Sequence, residues 1–390
     1  MLNINTSKYN CCGCSACMNI CPQHAISMVE DEEGFLYPEV DKKRCSKCNL
    51  CESVCIFNKK EKAIEGDKPL TYGVIHKDND IRCNSRSGGM FTAISDYILN
   101  KNGVVYGVGY KDHLKVCHKR ALNKQERDEF RGSKYVQSEL GNIFEFIKED
   151  LKNNKYVLFS GTPCQVDSLY SYLLCSRSID IDKLITCDLI CHGVPSPLIW
   201  REYLKFQENR YKGKIKSFDF RNKQIYGWEE HIESFSIGGK IHSSRIFTKL
   251  FYDHRILRPS CYKCPYTSIY RNADITLGDF WGIEKNNTIL NDNKGVSLIL
   301  LNTEKGRKAF NNIKEQLNYT LCKIENCMQP SLYKNIDENN QRKIFWQDYY
   351  VYGFEYILKK YIRYGNLFNI KENIRLIIRK YEFNKRISKN

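Results

Sequence analysis

Two groups of cysteines near the N-terminus have the spacing of iron–sulfur cluster ligands. Both follow the pattern C-x2-C-x2-C-x3-C, the first in Cys11, Cys14, Cys17 and Cys21 and the second in Cys45, Cys48, Cys51 and Cys55. In a two-cluster ferredoxin, three closely spaced cysteines bind one 4Fe-4S cluster and the fourth binds the other cluster. The pattern therefore predicts a two-cluster domain over residues 1–58 with two crossed ligand sets. The first quartet is Cys11, Cys14, Cys17 and Cys55, and the second quartet is Cys21, Cys45, Cys48 and Cys51.

Zinc is the alternative metal for these thiols. Zinc sites use four ligands, usually in two separated C-x2-C pairs, and such a site does not account for eight cysteines with a repeated spacing. Iron–sulfur clusters are therefore favoured. Cys12 is a ninth cysteine without a ligand position, and its simplest interpretation is a small packed thiol. The segment between the two groups predicts a hairpin with an acidic turn at residues 30–33.

The composition excludes several classes of protein. The 390 residues are 42% hydrophobic and 27% charged, which excludes a disordered chain and allows two or three packed domains. The longest apolar stretch, residues 296–301, is far shorter than the ~20 residues that span a bilayer. Nineteen cysteines without a secretory segment indicate a metalloprotein in a reducing compartment, so we expect a cytoplasmic location.

The formal net charge of +16 first suggests nucleic-acid binding. Half of that charge lies in residues 341–390, which hold twelve Lys or Arg and four Asp or Glu. The predicted two-cluster domain has five Lys or Arg and seven Asp or Glu. Because the positive charge does not follow the cysteines, a nucleic-acid-binding protein with structural clusters is the least favoured hypothesis, and we expect no nucleic-acid partner.

A charged segment follows the cysteine domain. Residues 59–70 lack an apolar period and predict a solvated linker, across which we expect little apolar surface to pass. A second domain begins near Thr71. Its first helical period, over residues 91–98, follows the sequence Arg86-Ser87-Gly88-Gly89, where two glycines would let backbone N–H groups approach a phosphate at the helix start. An ordinary turn with a serine cap fits the same residues, and the dinucleotide fingerprint G-x-G-x-x-G is absent.

Two apolar strands further along the chain are each followed by a loop that contains a cysteine and is rich in Gly and Pro. The strand at 156–160 continues into Gly161-Thr162-Pro163-Cys164-Gln165. The strand at 184–190 ends in Cys191-His192-Gly193-Val194-Pro195. Open α/β sheets bind ligands at the carboxyl ends of their strands, so these two loops are expected to converge on one site.

These loops, together with Arg258-Pro-Ser-Cys-Tyr-Lys-Cys and Ala273-Asp-Ile-Thr-Leu-Gly-Asp-Phe-Trp-Gly, make residues 8 to about 300 resemble the coenzyme F420 hydrogenase/dehydrogenase beta-subunit family, preceded by a ferredoxin module. The resemblance implies an FAD-containing oxidoreductase that passes electrons between iron–sulfur clusters and a small hydride carrier, often coenzyme F420. It also implies a redox protein or a larger oxidoreductase complex as partner. Nothing in the sequence selects coenzyme F420 over another substrate.

The resemblance further implies particular site residues. A third 4Fe-4S cluster is expected on the third quartet, Cys164, Cys191, Cys261 and Cys264, with a zinc clip as the alternative and Cys187 as the substitute ligand. The expected flavin contacts are Ser85, Arg86, Ser87, Gly88, Gly89, Gly132, Ser133, Lys134, Gln137 and Thr162. Residues 279–281 are expected to close the site, and His192 either relays protons or acts as a structural hydrogen-bond partner. No catalytic side chain is assigned, because the cofactors carry the chemistry.

We therefore predict an α+β protein with a small two-cluster ferredoxin domain, a flavin-binding core and a helical tail. The core divides into residues 71–155 and 156–330, and the basic tail covers residues 331–390. The spacing of Ile370, Ile374, Ile377 and Ile378 predicts a helical face in the tail, and packing on its own domain is favoured over contact with an anionic membrane. The alternative to an enzyme is a non-catalytic electron-transfer subunit of a larger redox complex.

Overall fold

The computed structural model describes residues 7–59, 67–176, 179–285 and 292–387. Most of the predicted linker, residues 60–66, lies outside these ranges. The strands are β1 (Ile26–Glu30), β2 (Leu36–Val40), β3 (Leu70–His76), β4 (Val104–Lys111), β5 (Lys115–Ala121), β6 (Val157–Gly161), β7 (Leu184–Leu189), β8 (Ile215–Asp219), β9 (Glu233–Ile237), β10 (Lys240–Ser244), β11 (Ile275–Asp279), β12 (Ser297–Leu301) and β13 (Leu317–Cys322).

Helices connect most of these strands. The α-helices are α1 (Ala16–Asn19), α2 (Leu50–Val54), α3 (Asn79–Cys83), α4 (Met90–Leu99), α5 (Lys124–Asp128), α6 (Ile143–Lys152), α7 (Pro163–Cys175), α8 (Pro197–Tyr211), α9 (Lys223–Tyr226), α10 (Ile246–Tyr252), α11 (Glu304–Ile313), α12 (Arg342–Ile362) and α13 (Asn366–Ile387). Short 3-10 helices occur at Lys8–Asn10, Ile56–Asn58, Asp112–Leu114, Pro259–Lys263, Ile283–Lys285, Lys314–Gln316, Ile324–Cys327 and Pro330–Leu332.

The N-terminal domain is an antiparallel hairpin with two one-turn helices. Strands β1 and β2 pair from Ile26 opposite Val40 to Glu30 opposite Leu36, and the predicted acidic turn joins them. Helix α1 lies within the first cysteine group, and helix α2 lies within the second. The last cysteine of each group, Cys21 or Cys55, follows the helix and is therefore separated from the loop that holds the other cysteines.

The core is one eight-stranded mixed sheet in the order β13-β3-β12-β11-β7-β6-β4-β5. The central strands β11, β7, β6 and β4 run parallel, and the outer pairs are antiparallel. Helices α4 and α11 pack on one face, and α6 and α7 pack on the other. Both predicted parts of the core contribute strands to this sheet. The expected α+β class is confirmed, because antiparallel pairs flank the parallel centre and a separate antiparallel sheet follows.

That second sheet has three strands in the order β10-β9-β8. It packs with α8, α10 and α12 around the fully buried ring of Trp200. The polar loop from β8 to α9 extends from this sheet towards α4, and it supplies one wall of the candidate site.

The expectation that little apolar surface passes between the cysteine domain and the core is wrong. Ala16 and Val54 are buried in the same apolar cluster as Phe144 and Tyr172 of α6 and α7. Glu33, in the hairpin turn, forms a buried ion pair with Arg342 of α12. The expectation was drawn from the charge of the linker, which carries no information about the outer faces of α1 and α2. These faces form the junction between the cysteine domain and the core.

The C-terminal region is helical, as expected. Phe354, Ile357 and Leu358 of α12 pack into the cluster around Trp200. Helix α13 has one buried aromatic side chain, Phe383, and its Glu372 pairs with Lys249. The expected packing of its isoleucine face is wrong, because Ile370, Ile374, Ile377 and Ile378 are all exposed. Across the described ranges, none of the helices combines the length and the apolar character needed to cross a membrane.

Candidate cofactor sites

The first quartet is assembled at the junction between the two domains. Burial raises the pKa of Cys17 well above its usual value, and the neighbouring charges of Cys14, Cys11 and Cys55 raise it further. Burial likewise raises the pKa of Cys55 to about 11, beside Cys14 and Cys11. The four side chains therefore lie near one another at a half-buried site, and Cys55, which directly follows α2, is brought to the other three.

The second quartet surrounds a small cavity at the outer end of the same domain. The cavity is lined by all four cysteines, Cys21, Cys45, Cys48 and Cys51, and by the apolar side chains of Ala25, Ile26, Val40 and Leu50. Cys48 is exposed, and Cys21 and Cys45 are half-buried. Because it includes an exposed cysteine, this quartet is more accessible than the first, whose four cysteines are all half-buried.

The third quartet joins three separate parts of the core. Cys164 lies in the first turn of α7, Cys191 follows β7, and Cys261 and Cys264 lie in and just after a 3-10 helix. Burial raises the pKa of Cys191 to about 12, with further contributions from the charges of Cys164 and Cys264. Gly193 has φ +94°, and a Cβ there would lie 3.3 Å from the Cβ of Cys261. A glycine is thus needed where the two cysteine loops meet.

Cys187, the substitute ligand considered from the sequence, does not join this group. It is fully buried in β7, within the apolar cluster under α4 and α11. Burial raises its pKa, and the charges next to it are those of Asp274 and Asp188 rather than of another cysteine.

The donor sets fit 4Fe-4S clusters better than zinc. Of the residues with described placement, no three Cys, His, Asp or Glu side chains come close enough together to hold a single metal ion. A zinc ion needs its sulfur ligands ~2.3 Å from one centre. A 4Fe-4S cluster is held by one thiolate on each of four irons, so its ligands stand further apart around a space. The second quartet lines a space of this kind.

Cys12 lies between the first and third quartets. A hydrogen bond from its thiol lowers the pKa of Cys14 to about 6, and a hydrogen bond from Cys12 also lowers the pKa of Cys164. Cys14 belongs to the first quartet and Cys164 to the third. The two quartets are therefore adjacent, with one buried thiol between them.

Arg258 fixes the first quartet to the core. Its fully buried guanidinium donates from Nε to the Cys11 carbonyl (2.7 Å), from Nη1 to Oε1 of Gln137 (2.8 Å) and from Nη2 to the Leu36 carbonyl (2.9 Å). It also lies 4.2 Å from the ring centre of Tyr37. Gln137 in turn donates from Nε2 to the Cys12 carbonyl (2.8 Å). These bonds join the loop of the first quartet to the core.

A cavity of about 260 Å³ opens at the carboxyl ends of the central strands, next to the third quartet. Cys191 and His192 line its floor, and the start of α4 lines its opposite wall. His192 Nε2 lies 2.9 Å from Nε2 of His254, and burial lowers the pKa of His192 to about 4. His192 thus has a hydrogen-bond partner and also faces the cavity.

The wall formed by the start of α4 has an unusual backbone and a cation, Arg86, that pairs with Asp219 through Nη1 (3.7 Å). Gly89 caps the helix with φ +97°. A Cβ on Gly88 would lie 2.0 Å from the carbonyl oxygen of Val74, so only glycine fits there. Arg86 is largely buried, and in the described part of the chain its Nε and Nη2 atoms have no hydrogen-bond partner. Burial, together with the charge of nearby Arg221, lowers the pKa of Arg86 to about 10.

A second, polar chamber of about 260 Å³ adjoins the first and shares Ser85, Arg86 and residues 131–134 with it. Its far wall is the loop from β8 to α9, which includes Arg221 and Lys223. Burial lowers the pKa of Lys134, and that of Lys223, to about 7. The paired chambers therefore have one mostly apolar end and one end lined by cationic side chains, an arrangement suited to an elongated ligand with anionic groups.

Eight of the ten expected flavin contacts line the first chamber, namely Ser85, Arg86, Ser87, Gly89, Gly132, Ser133, Lys134 and Thr162. Two lie elsewhere. Gly88 is buried behind the wall, where its N–H donates to Ser297 Oγ, and Gln137 points to Cys12 and Arg258.

Of residues 279–281, only Asp279 lines the first chamber. Burial opposes its charged form, yet the guanidinium groups of Arg221 and Arg86 lower its pKa to about 2. Phe280 is fully buried in a separate apolar cluster, and Trp281 stacks on Trp228 with ring centres 4.7 Å apart.

Sequence reasoning missed the wall that contains Arg221 and Lys223. Both follow an ordinary amphipathic strand, and no spacing rule distinguishes them from other basic residues of the chain. Arg221 is fully buried, donates to Asp279, and lies 5.1 Å from the ring centre of Trp281. Only the three-dimensional packing of the small sheet against α4 places it at the site.

Comparison with known families agrees with this geometry. Residues 10–59 match the model of the 4Fe-4S dicluster domain. Residues 154–326 match the model that describes the C-terminal region of the coenzyme F420 hydrogenase/dehydrogenase beta subunit. The second match includes all four cysteines of the third quartet.

Curated relatives cover less of the chain. A DNA-directed RNA polymerase subunit, Rpo3 of Methanosarcina acetivorans, is 35% identical over 98 residues, which are 25% of this chain and 31% of that protein. The indoleacetate decarboxylase activating enzyme of Tractidigestivibacter scatoligenes is 26% identical over 121 residues, which are 30% of this chain and 36% of that protein. The chain thus spans about a third of the length of these relatives.

Among solved structures, a chain of the F420-reducing [NiFe] hydrogenase complex from Methanosarcina barkeri is 18% identical, with a TM-score of 0.48. The match covers 68% of this chain and 86% of that chain. The two family matches confirm the resemblance found from the sequence: the chain joins a region similar to the 4Fe-4S dicluster domain to a region similar to the C-terminus of the coenzyme F420 hydrogenase/dehydrogenase beta subunit.

Proposed function

We propose that this chain is an iron–sulfur flavoprotein oxidoreductase that exchanges electrons between a one-electron partner and a small hydride carrier, for which coenzyme F420 is the first candidate. The observation that carries the proposal is the continuity of the sites. The first and second quartets lie in one small domain. Cys12 lies between the first quartet and the third, and Cys191 of the third quartet lines the first of the paired chambers.

The paired chambers suit FAD, because a flavin dinucleotide has an apolar ring system and an anionic diphosphate. Arg86, with two unpaired guanidinium atoms beside the start of α4, is the residue best placed to bind the diphosphate. Ser133 lines the same wall and supplies a hydroxyl donor, whereas the hydroxyls of Ser85 and Ser87 donate to the carbonyls of Ile81 and Val296. Lys134 donates to the carbonyls of Glu129 and Arg131, which holds its ammonium between the two chambers.

The cysteine quartets hold one-electron groups, and flavin, when bound, supplies the exchange between one-electron and two-electron chemistry. The protein contributes position and environment. Arg258 orients the loop of the first quartet, and Gly193 lets the loops of Cys191 and Cys261 approach each other. Phe130, Val136 and Leu277 supply apolar side chains to the lining of the first chamber.

Anaerobic purification followed by iron, sulfide and flavin analysis tests the cofactor content. Three clusters require about twelve iron and twelve sulfide per chain, and the paired chambers require one FAD. Reduced coenzyme F420, NADH and NADPH are then compared as hydride donors, with flavin bleaching as the readout. A loaded protein that bleaches with one of these donors supports the proposal. A loaded protein that accepts electrons from reduced ferredoxin but from none of the hydride donors would instead be a non-catalytic electron-transfer subunit.

A further inference from the structure

The two quartets of the N-terminal domain differ in their access to a protein partner. All four cysteines of the first quartet are half-buried. In the second quartet, Cys48 is exposed and Cys45 is half-buried. The second quartet, which includes the exposed Cys48, is therefore the more accessible of the two to a one-electron partner protein.

Basic and acidic residues are also unevenly distributed between the two parts of the N-terminal domain. Residues 41–52, which include three cysteines of the second quartet, carry four Lys or Arg and two Asp or Glu. Residues 7–40 carry one Lys and five Asp or Glu. The cations near the second quartet are all exposed, and they are Lys42, Lys43, Arg44 and Lys47.

Most of the carboxylates on the other side of the domain are already engaged. Lys8 pairs with Asp31 and with Glu32, Glu33 forms a buried pair with Arg342, and Glu30 pairs with Arg201. These pairs lie at the hairpin turn, where the domain meets the core. The exposed face around Cys48 is therefore basic, although the domain as a whole has more acidic than basic residues.

We propose that Lys42, Lys43, Arg44 and Lys47, which we name the basic rim, form the docking surface for a small acidic one-electron carrier protein. This inference rests on the proposed function and names the partner protein that exchanges electrons with the second quartet. A cluster bound by the second quartet adds negative charge, so an acidic carrier would be repelled from a site without such cations. The rim offsets that charge at the point of contact and attracts carboxylates on the partner, which accelerates association at low ionic strength.

The test measures binding rather than turnover. The probe is a recombinant acidic bacterial ferredoxin, and its dissociation constant with the anaerobic holoprotein is measured at low and at physiological ionic strength. The test variant is Lys43→Glu with Lys47→Glu. The matched control, with the same change in charge, is Lys216→Glu with Lys240→Glu, two exposed lysines on the three-stranded sheet. Iron and flavin contents of every variant are measured first.

The rim variant is expected to bind the ferredoxin about tenfold or more weakly at low ionic strength and to lose most of the salt dependence, whereas the control keeps both. Equal weakening in the two variants, unchanged binding in the rim variant, or absence of binding by the wild-type holoprotein would overturn the proposal. Tight binding of a basic redox protein of similar size would also overturn it. A wild-type protein that lacks flavin or the third cluster contradicts the proposed function instead, and the cofactor analysis separates that failure from a failure of the rim.

Discussion

Replacing Arg258 by methionine should detach the cysteine domain from the core locally without unfolding the rest of the protein. The side chain is fully buried and donates four hydrogen bonds, to the carbonyls of Cys11 and Leu36, to the amide oxygen of Gln137 and, over 3.6 Å, to the sulfur of Cys11. A hydrogen bond from a charged group contributes about 1.5–3 kcal/mol, and the contributions of bonds that share one donor group are not additive. We expect a loss of about 4 kcal/mol in the free energy of local opening, within the range for removing one partner of a buried charged network.

A change of this size increases the open population about a thousandfold, because each 1.36 kcal/mol corresponds to a factor of ten. Native-state hydrogen exchange measures it directly. Amides of the β1–β2 hairpin should exchange faster by that factor in Arg258→Met, whereas amides of β3 and β12 should keep their wild-type rates. Arg258→Lys keeps the charge but has a single nitrogen in place of the three that donate, so its effect should be intermediate.

Unchanged exchange in the hairpin of the methionine variant would show that apolar packing, not Arg258, fixes the domain. Equal acceleration in β3 and β12 would show that the domain and the core open as one unit. Either result would refute the reasoning.

Three further predictions concern the cofactor sites. Cys164→Ser should lower the iron content from about twelve to about eight per chain, whereas Cys175→Ser, which alters a partly buried cysteine outside the quartets, should leave it unchanged. Arg86→Met should weaken FAD binding about 10- to 100-fold in a fluorescence titration, since it removes a charged hydrogen-bond donor, and the exposed Arg210→Met should have no effect. Burial lowers the pKa of Lys134 and that of Lys223 to about 7, so both positive charges are lost as pH rises through that value. Affinity for the anionic flavin should therefore fall between pH about 6 and about 8 in the wild type, and the fall should be smaller in Lys134→Met, which leaves only Lys223 to titrate.

The sequence predicted the parts of the site that depend on local spacing. The C-x2-C-x2-C-x3-C pattern gave the crossed ligand sets, and the structure brings Cys55 to Cys11, Cys14 and Cys17 as expected. The pair Cys261 and Cys264 likewise came from its spacing and its motif. In each case the relevant geometry is contained in a few consecutive residues.

The contacts that the sequence did not reveal join residues far apart in the chain. Arg258 contacts Cys11 across 247 positions, and Arg221 contacts Asp279 across 58. The family resemblance implied that Gln137 contacts the flavin, but its side chain donates to the Cys12 carbonyl and accepts from Arg258. Side-chain direction and long-range packing are not encoded in spacing, and this is why these residues and the apolar domain junction were not predicted.

We propose that the third quartet links the N-terminal clusters to the flavin site. The most direct measurement follows the reduction of the holoprotein by reduced ferredoxin in an anaerobic stopped-flow instrument, with cluster and flavin absorbance recorded separately, for the wild type and for Cys264→Ser. Cys264 does not line the flavin chamber, so flavin content should be retained in the variant. The account predicts that both chromophores are reduced in the wild type, whereas in Cys264→Ser the N-terminal clusters are reduced and the flavin remains oxidised. Flavin reduction at the wild-type rate in Cys264→Ser would contradict it.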